Sequence, residues 1–207
     1  MTVVLMGAGA VAVFVGWIVV SAGRGSVWIV MGVVLGALCT ASLATRRVVA
    51  SGRLSVGTAT AAGLGAGLAL YGATVAFVVV VRRWPVFERH VAEVYDQRKG
   101  LSLPLALLLA AGVVAPSEEV FWRGLFQGRA GQAFGSGAGF AVAWAVYIAA
   151  NAGSASLPIL AAAVVSGGVW GGLALWTHGV LAGIWCHTLW TALMLAWPPP
   201  RSASRST

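Results

Sequence analysis

The chain places two adjacent carboxylates inside a long apolar segment. These are Glu118 and Glu119, and Arg123 follows four residues after the second of them. A carboxylate in hydrocarbon costs roughly 2.5–3.5 kcal/mol, so two side by side indicate a function. On a helix, Arg123 shares a face with Glu119 and can neutralise it, whereas Glu118 points about 100° away. Glu118 is thereby left without this partner and is free for another role.

Two other interpretations of this segment are open. In the first, it is the interfacial end of a membrane span, anchored by Trp122 and Arg123. Anchoring requires no glutamate pair, however, and Pro116 predicts a helix that is disturbed at the same point. In the second, Glu118 and Glu119 form a proton relay in a proton-coupled carrier.

The composition places these residues in a membrane protein. Of the 207 residues, 59% are hydrophobic and 9% charged, and the mean hydropathy is +0.91; soluble domains carry about 25% charged residues. The net charge of +8 comes from short basic clusters between apolar runs, which favours anionic lipid headgroups over nucleic acid as the partner. Cys39 and Cys186 both lie in apolar runs, so neither a disulfide framework nor a zinc knuckle is predicted.

Apolar runs of about 20 residues recur along the chain and predict an all-α fold, a polytopic transmembrane helix bundle with about seven spans. The predicted spans cover residues 2–20, 27–44, 56–81, 103–124, 133–150, 157–176 and 180–197. We expect the first to be retained as a span, because no Lys or Arg precedes it and it is long for the core of a signal peptide.

One long polar connection separates the third and fourth spans. Residues 82–102 hold five of the 13 basic and three of the five acidic residues. Apolar side chains recur within it at helical spacing, which predicts a short amphipathic helix on the membrane surface, with a solvated loop as the alternative. The chain thus divides into N-terminal transmembrane helices with this linker (1–100), a membrane core that holds the glutamate pair (101–197) and a disordered tail (198–207).

The glutamate pair carries a resemblance to a known family. The run Glu118-Glu119-Val-Phe-Trp-Arg123 is similar to the first motif of the CPBP intramembrane proteases, which is two glutamates, three variable residues and an arginine; the glycine that usually follows is Gly124. This family, also called the CAAX-protease and bacteriocin-processing or Abi family, includes the type II CAAX prenyl endopeptidases. The resemblance covers roughly residues 103–197, so the membrane core is expected to be catalytic.

Two further motifs of the family have partial counterparts. The third, a His on the last helix preceded by a Gly-rich helix and a Thr-Gly turn, resembles residues 168–179 followed by His187. Four residues later the family usually has Asn, and this chain has Thr191. The second motif, Phe with His four residues later, falls on Tyr147 and Asn151. Asn151 is the larger departure, because it removes an imidazole that the family's chemistry uses.

The resemblance implies roles for these residues. Peptide hydrolysis needs a water molecule, a base and donors for the oxyanion. By resemblance, Glu118 is the base, Glu119 and Arg123 support it, and His187 donates to the oxyanion. A lone histidine on an apolar helix is more often a packing residue, but the pattern that flanks His187 favours function. We expect these groups to meet in a water-filled cavity closed by spans four, five and seven.

The departures leave a second hypothesis open. Asn151 can orient a water by hydrogen bonding but cannot accept a proton at neutral pH, and Thr191 keeps one hydroxyl donor in place of an amide. The alternative to an active enzyme is therefore a catalytically weakened relative that acts as a membrane immunity, export or partner-binding protein.

The resemblance thus implies an intramembrane endopeptidase, a multi-pass hydrolase of the plasma membrane. Its expected partners are membrane lipids and a peptide or membrane-protein substrate, with no nucleic acid. No cofactor is certain, and a divalent metal such as zinc is the less favoured alternative: the family is often labelled metalloprotease, but a zinc site takes three good protein ligands plus water. Glu118 and His187, the ligands of any such metal, with an amide oxygen of Asn151, make a poor set. No feature indicates a prenyl-binding site.

Overall fold

The computed structural model of the chain describes residues 2–81, 83–98 and 100–199. Across these residues the fold is all-helical, as predicted, and contains no β-strand. The tail predicted to be disordered, 198–207, lies outside the described residues from position 200 onward. In chain order the helices are α1 (Thr2–Ser21), α2 (Val27–Ala44), α3 (Val56–Val81), α4 (Pro85–Asp96), α5 (Leu103–Phe134), α6 (Ser136–Asn151), α7 (Leu157–Thr177) and α8 (Leu181–Ala196).

Within the described ranges, five helices are long and apolar enough to cross a membrane: α1, α2, α3, α5 and α7. Helix α8 is apolar but has 16 residues, and α6 has the same length. At about 1.5 Å per residue, such a helix extends about 24 Å, less than the ~30 Å of a hydrocarbon core. The chain is thus an integral membrane protein, and the prediction of about seven spans is confirmed for five.

The polar connection contains α4, so the amphipathic helix predicted there is confirmed and the loop alternative is wrong. Pro85 stands at the start of α4, where its fixed φ suits a helix and its missing N–H costs nothing. Phe87 is buried and packs edge-to-face against Phe77 of α3, with ring centroids 5.7 Å apart. Helix α4 is therefore anchored by its apolar face.

Helix α5 continues ten residues beyond the predicted end of its span at Gly124. Gly124 does not end the helix; it leaves room for the side chains of Val48 and Val180, which lie within 3.2 Å of where its Cβ would be. The helix ends instead before Gly135, whose φ of +87° is a conformation that L side chains rarely adopt. Span five accordingly begins at Ser136 rather than at residue 133.

Two π-helical stretches of α5, Leu108–Val114 and Glu119–Gln127, flank one α-helical turn, Ala115–Glu118. Pro116 lies in that turn. Its ring removes one N–H and crowds the carbonyl of the preceding turn, so a regular α-helix is disturbed around it. The disturbance predicted at Pro116 is confirmed, and the change of helix type falls between the two glutamates. π-Helical turns recur at functional sites.

Glycines let α3 pack closely along α8. Gly63 faces the backbone of Ala182, and a Cβ at Gly63 would lie 2.8 Å from Cβ of Trp185. Gly67 likewise faces the carbonyl oxygen of Cys186, 3.0 Å from the position of its missing Cβ. In lipid no hydrophobic effect drives helices together, so close packing of small residues supplies much of the attraction.

Aromatic side chains fix the rotation of α5 about its own axis. Phe121 and Trp122 are almost fully buried and pack edge-to-face at 4.8 Å. Trp122 also packs against Tyr147 of α6, with ring centroids 5.3 Å apart. On the other side, Gly9 of α1 makes room for the Phe121 ring, which lies 2.5 Å from where a Cβ of Gly9 would be. Helices α1 and α6 therefore decide where the glutamate pair points.

The packing of α3 on α8 predicts the effect of a single methyl group. Gly63→Ala should lower the free energy of unfolding by about 1–3 kcal/mol, because the new Cβ meets backbone that cannot move aside. Gly65→Ala on the same helix is the matched control, since a Cβ there has nothing within 4 Å. Unfolding in detergent micelles measures both, and equal stability of the two variants would contradict the proposed contact.

Candidate active site

The glutamate pair lies near the middle of the membrane helix α5. Glu118 is 15 residues after Leu103 and 16 before Phe134. At about 1.5 Å per residue it is ~20 Å from either end of the helix, a depth that belongs to the hydrocarbon interior. Glu118 is 7% exposed and Glu119 0%. Burial inside the bundle, near the middle of a helix long enough to span a membrane, argues against the interpretation of this segment as an interfacial anchor.

Two side chains, those of Arg123 and His187, bind the carboxylate of Glu119. Arg123 Nη1 donates a hydrogen bond to Glu119 Oε1 at 3.3 Å, which is the ion pair expected from the spacing. His187 Nδ1 of α8 lies 3.0 Å from the same oxygen. Because an ionised carboxylate only accepts, the proton of this contact is on Nδ1. Arg123 Nη2 also donates to the carbonyl of Gly167 on α7, at 2.9 Å. The carboxylate of Glu119 thus contacts α8 directly through His187, and it is linked to α7 through Arg123.

Aromatic rings enclose this ionic cluster. The imidazole of His187 stacks on Trp170 with centroids 3.5 Å apart and an interplanar angle of 16°. The guanidinium of Arg123 lies over Tyr147 at 4.5 Å and near Trp170 at 5.4 Å, distances at which cation–π attraction operates. Gly183 gives the carboxylate room, since Glu119 Oε2 is 2.8 Å from where its Cβ would be. The cluster is therefore sealed from water.

Glu118 has a different environment. The hydroxyl of Tyr147 donates a hydrogen bond to Glu118 Oε2 at 3.1 Å, and Glu118 lines a cavity of about 730 Å³. Its other oxygen has no hydrogen-bond partner among the described residues. Glu118 is consequently the carboxylate that a water molecule in the cavity can reach.

The walls of this cavity differ from the expected ones. Helices α5 and α8 contribute, as predicted, but α6 does not, because its Tyr147 reaches only the buried side of Glu118. The remaining wall comes from α1, α2, α3, α4 and α7. Representative lining residues are Trp17, Met31, Leu70, Val94, Ile159 and Thr191. The cavity is mainly apolar, with a carboxylate deep in its wall.

Helix α4 covers the cavity on one side and is tied down at its C-terminal end. The hydroxyl of Tyr95 donates to the carbonyl of Met194, and Arg98 Nη1 to the carbonyl of Leu195, both at 3.1 Å. Trp28 Nε1 of α2 donates to the carbonyl of Gln97 at 2.7 Å. The amphipathic helix thus connects α2 with the end of α8, over the space that Glu118 faces.

Asn151 is hydrogen-bonded within the protein at both ends of its amide. Its Oδ1 accepts a hydrogen bond from Trp17 Nε1 of α1 at 3.0 Å, and its Nδ2 donates to the carbonyl of Tyr147 at 2.9 Å. Asn151 is 3% exposed and is not among the cavity-lining residues of the described chain. Ser21 reinforces this contact by donating to the carbonyl of Gly153 at 3.3 Å. The amide therefore links α1 to α6.

His187 and Thr191 lie one turn apart on α8. Thr191 is half-buried and lines the cavity together with Glu118. In His187 the contact with Glu119 occupies Nδ1, and His187 itself is buried and is not among the described residues that line the cavity.

The predicted site residues therefore separate into three groups. Four of them form one contiguous cluster: Glu118, Glu119, Arg123 and His187. Thr191 lines the same cavity as Glu118. Asn151 instead faces α1, where it binds Trp17.

Sequence reasoning misses three contributors to the site: Tyr147, Trp170 and Trp17. Tyr147 occupies the second-motif position, one turn before Asn151, and this position is the signal that points to it. Trp170 stands among the glycines of the third motif, where a bulky ring is conspicuous. Nothing in the sequence distinguishes Trp17 from the other tryptophans of apolar helices.

The donor set does not fit a metal. In the described part of the chain, no group of three or more His, Cys, Asp or Glu side chains is placed to hold one ion. The amide oxygen of Asn151, the third ligand considered, is bound by Trp17 and faces away from Glu118 and the cavity. A zinc site takes three good protein ligands plus water, and these residues do not supply them.

Comparison with known proteins gives one match. Residues 100–193 match a family model described as Rce1-like, type II CAAX prenyl endopeptidase. The matched residues include Glu118, Glu119, Arg123 and His187. No curated protein and no solved structure matches the chain.

The buried ion pair generates a prediction about stability. Arg123→Gln should lower the free energy of unfolding by about 3–5 kcal/mol, because it leaves the Glu119 carboxylate buried without its guanidinium. Arg53→Gln, at an exposed position, should change it by less than about 0.5 kcal/mol. The double variant Glu119→Gln/Arg123→Gln should recover part of the loss, as measured by unfolding in detergent; a double variant as unstable as Arg123→Gln would contradict the charge argument.

Proposed function

We propose, from the match of residues 100–193 to the Rce1-like family model of type II CAAX prenyl endopeptidases, that the chain is an intramembrane endopeptidase that hydrolyses peptide bonds with a glutamate-activated water. The family supports a protease-type function, and the mechanism rests on one observation. Glu118, deep in the membrane, lines the 730 Å³ cavity and is fixed by the Tyr147 hydroxyl. One oxygen of this carboxylate is therefore fixed by a hydrogen bond, and the carboxylate borders the cavity.

In the proposed reaction, Glu118 takes a proton from a water in the cavity as the water oxygen attacks the peptide carbonyl carbon. Proton transfer to a positioned carboxylate contributes about 10²–10⁴-fold to a rate. The tetrahedral intermediate then collapses, the C–N bond breaks, and Glu118 returns the proton to the leaving amine. Glu118 is then again a carboxylate. The hydroxyl of the water is part of the new carboxyl group, and its proton is on the new amine.

The oxyanion requires donors, and α8 offers two. In this proposal His187, whose Nδ1 is bound to Glu119, donates from Nε2 as an imidazolium. Thr191 adds a hydroxyl on the cavity wall one turn further along the helix. In many enzymes, donors that are fixed in advance at the site of developing charge contribute more to the rate than any other single effect. Glu119 and Arg123 therefore act on His187 rather than on the water.

The surroundings suggest the substrate and the location. An apolar cavity inside a helix bundle suits an extended peptide or a segment of a membrane protein. Exposed arginines between the helices, such as Arg24, Arg46 and Arg47, suit anionic lipid headgroups. We propose the plasma membrane as the location, with membrane lipids and such a substrate as partners and no nucleic acid.

A second candidate function is favoured by Asn151. Both ends of its amide are bound within the protein, and it does not line the cavity that Glu118 faces. In such a chain the second-motif residue, Asn151, supports helix packing instead of catalysis, and the cavity serves for binding alone. The chain would then serve as a membrane immunity, export or partner-binding protein.

Removing the base tests the leading proposal. In proteoliposomes, Glu118→Gln should lower cleavage of internally quenched peptides with apolar centres, tested with and without a farnesylated cysteine, by about 10²–10⁴-fold. Glu93→Gln is the matched control, because Glu93 lines the same cavity at its exposed mouth, and we expect it to cleave like the parent. Cleavage by Glu118→Gln at the parent rate would refute the catalytic role.

Restoring the imidazole separates the two candidate functions. Since position 151 faces Trp17 and not the cavity, Asn151→His should give no more than about the parent rate if the enzyme is already complete, in the same proteoliposome assay. A large gain in cleavage, above all in combination with Trp17→Phe, would instead identify the parent as a weakened relative. Trp17→Phe alone controls for the loss of the indole N–H.

A further inference from the structure

We infer that Tyr147 is the residue that positions the base: its hydroxyl fixes one oxygen of Glu118 so that the other is presented to water in the cavity. This inference rests on the proposed function and adds to it a role for a side chain outside the predicted site. Tyr147 is not among the described residues that line the cavity; it acts through Glu118.

The hydrogen bond has the geometry of a fixed support. The hydroxyl of Tyr147 lies 3.1 Å from Glu118 Oε2, within the range of a normal hydrogen bond. Tyr147 is buried, as is the carboxylate it reaches. No other described side chain donates to Glu118. The orientation of the carboxylate about its last torsion, which is otherwise broad, therefore depends on this one donor.

The ring that carries the hydroxyl cannot move freely. The guanidinium of Arg123 lies over one face of Tyr147 at 4.5 Å, and Trp122 packs against it at 5.3 Å with an interplanar angle of 77°. Gly167 of α7 completes the enclosure, because a Cβ there would lie 2.9 Å from the ring. Contacts on several sides thus hold the hydroxyl in place relative to α5.

The backbone beneath Tyr147 is fixed as well. Asn151 donates to the carbonyl of Tyr147 and accepts from the indole of Trp17. A chain of contacts therefore runs from α1 through Asn151 and Tyr147 to Glu118. Asn151 supports the base through this chain, which accounts for a buried amide that does not reach the cavity.

This arrangement assigns one task to each carboxylate oxygen. Oε2 accepts from Tyr147, and the remaining oxygen can accept the proton of a cavity water. Without the hydroxyl, either oxygen could turn toward the cavity, and the carboxylate could rotate away from a productive position. Misplacement of a reacting group by about 1 Å can cost a factor of about 10² in rate. The effect should fall on the chemical step and not on substrate binding.

The test compares two Tyr→Phe variants in proteoliposomes. Tyr147→Phe should lower kcat about 10- to 100-fold with KM unchanged, because the ring and its contacts stay. Tyr71→Phe is the matched control: its hydroxyl donates to the carbonyl of Trp197 at 2.8 Å, away from Glu118, and kcat should equal that of the parent. Equal kcat for Tyr147→Phe and the parent would overturn the inference.

An infrared measurement tests the hydrogen bond without a substrate. In pH-difference spectra, the carboxyl band of Glu118 is identified by its absence in Glu118→Gln; it should shift in Tyr147→Phe and stay in place in Tyr71→Phe. An unshifted band overturns the inference whatever the activity. If instead the band shifts while Glu118→Gln cleaves like the parent, the hydrogen bond stands but both the positioning role and the proposed function fail.

Discussion

The burial of Glu119 is the constraint on which the rest of the site depends. Its carboxylate is 0% exposed, and an unpaired charge at that depth would cost more than a typical protein's margin of stability allows. Arg123 supplies a partner from the same helix, but His187 must come from α8, and the second hydrogen bond of Arg123 reaches α7. Docking of three helices is thus linked to one charge, and the same docking forms the cavity beside Glu118.

Glycines make this docking possible. Gly183 leaves space for the Glu119 carboxylate, Gly167 for the Tyr147 ring, and Gly63 for the backbone of α8. A methyl group at any of them would meet a side chain or carbonyl that other contacts hold in place. Because lipid tails are as apolar as the helices, the bundle gains its stability from close packing and buried polar bonds rather than from removing apolar surface from water. The glycine-rich stretch of α7 is identified as a motif from the sequence. In the structure, its missing side chains leave room for the buried ionic groups and the rings around them.

Sequence reasoning succeeds where a local rule applies. Apolar runs predict the helices, periodicity predicts α4, and the i to i+4 spacing predicts the pair of Glu119 and Arg123. It fails where partners come from distant parts of the chain: the contacts of Trp17 with Asn151 and of His187 with Glu119 span 134 and 68 positions. Periodicity fixes which residues share a face of one helix but not which helix lies opposite. The end of α5 is missed for a related reason, because Gly124 is required by a tertiary contact while Gly135 terminates the helix.

The two adjacent glutamates show how one helix produces two environments. A change from α- to π-helical geometry falls between them, and the side chains diverge: Glu119 turns into a cluster that excludes water, whereas Glu118 turns toward the cavity with a single donor behind it. The carboxylate of Glu119 is paired with Arg123 and His187, whereas that of Glu118 has one donor and borders the cavity, where it can exchange a proton with water. If the pair acted as a proton relay, both carboxylates would need access to water, and the sealed surroundings of Glu119 argue against that interpretation. The asymmetry between the two is therefore the feature that most favours hydrolysis over transport.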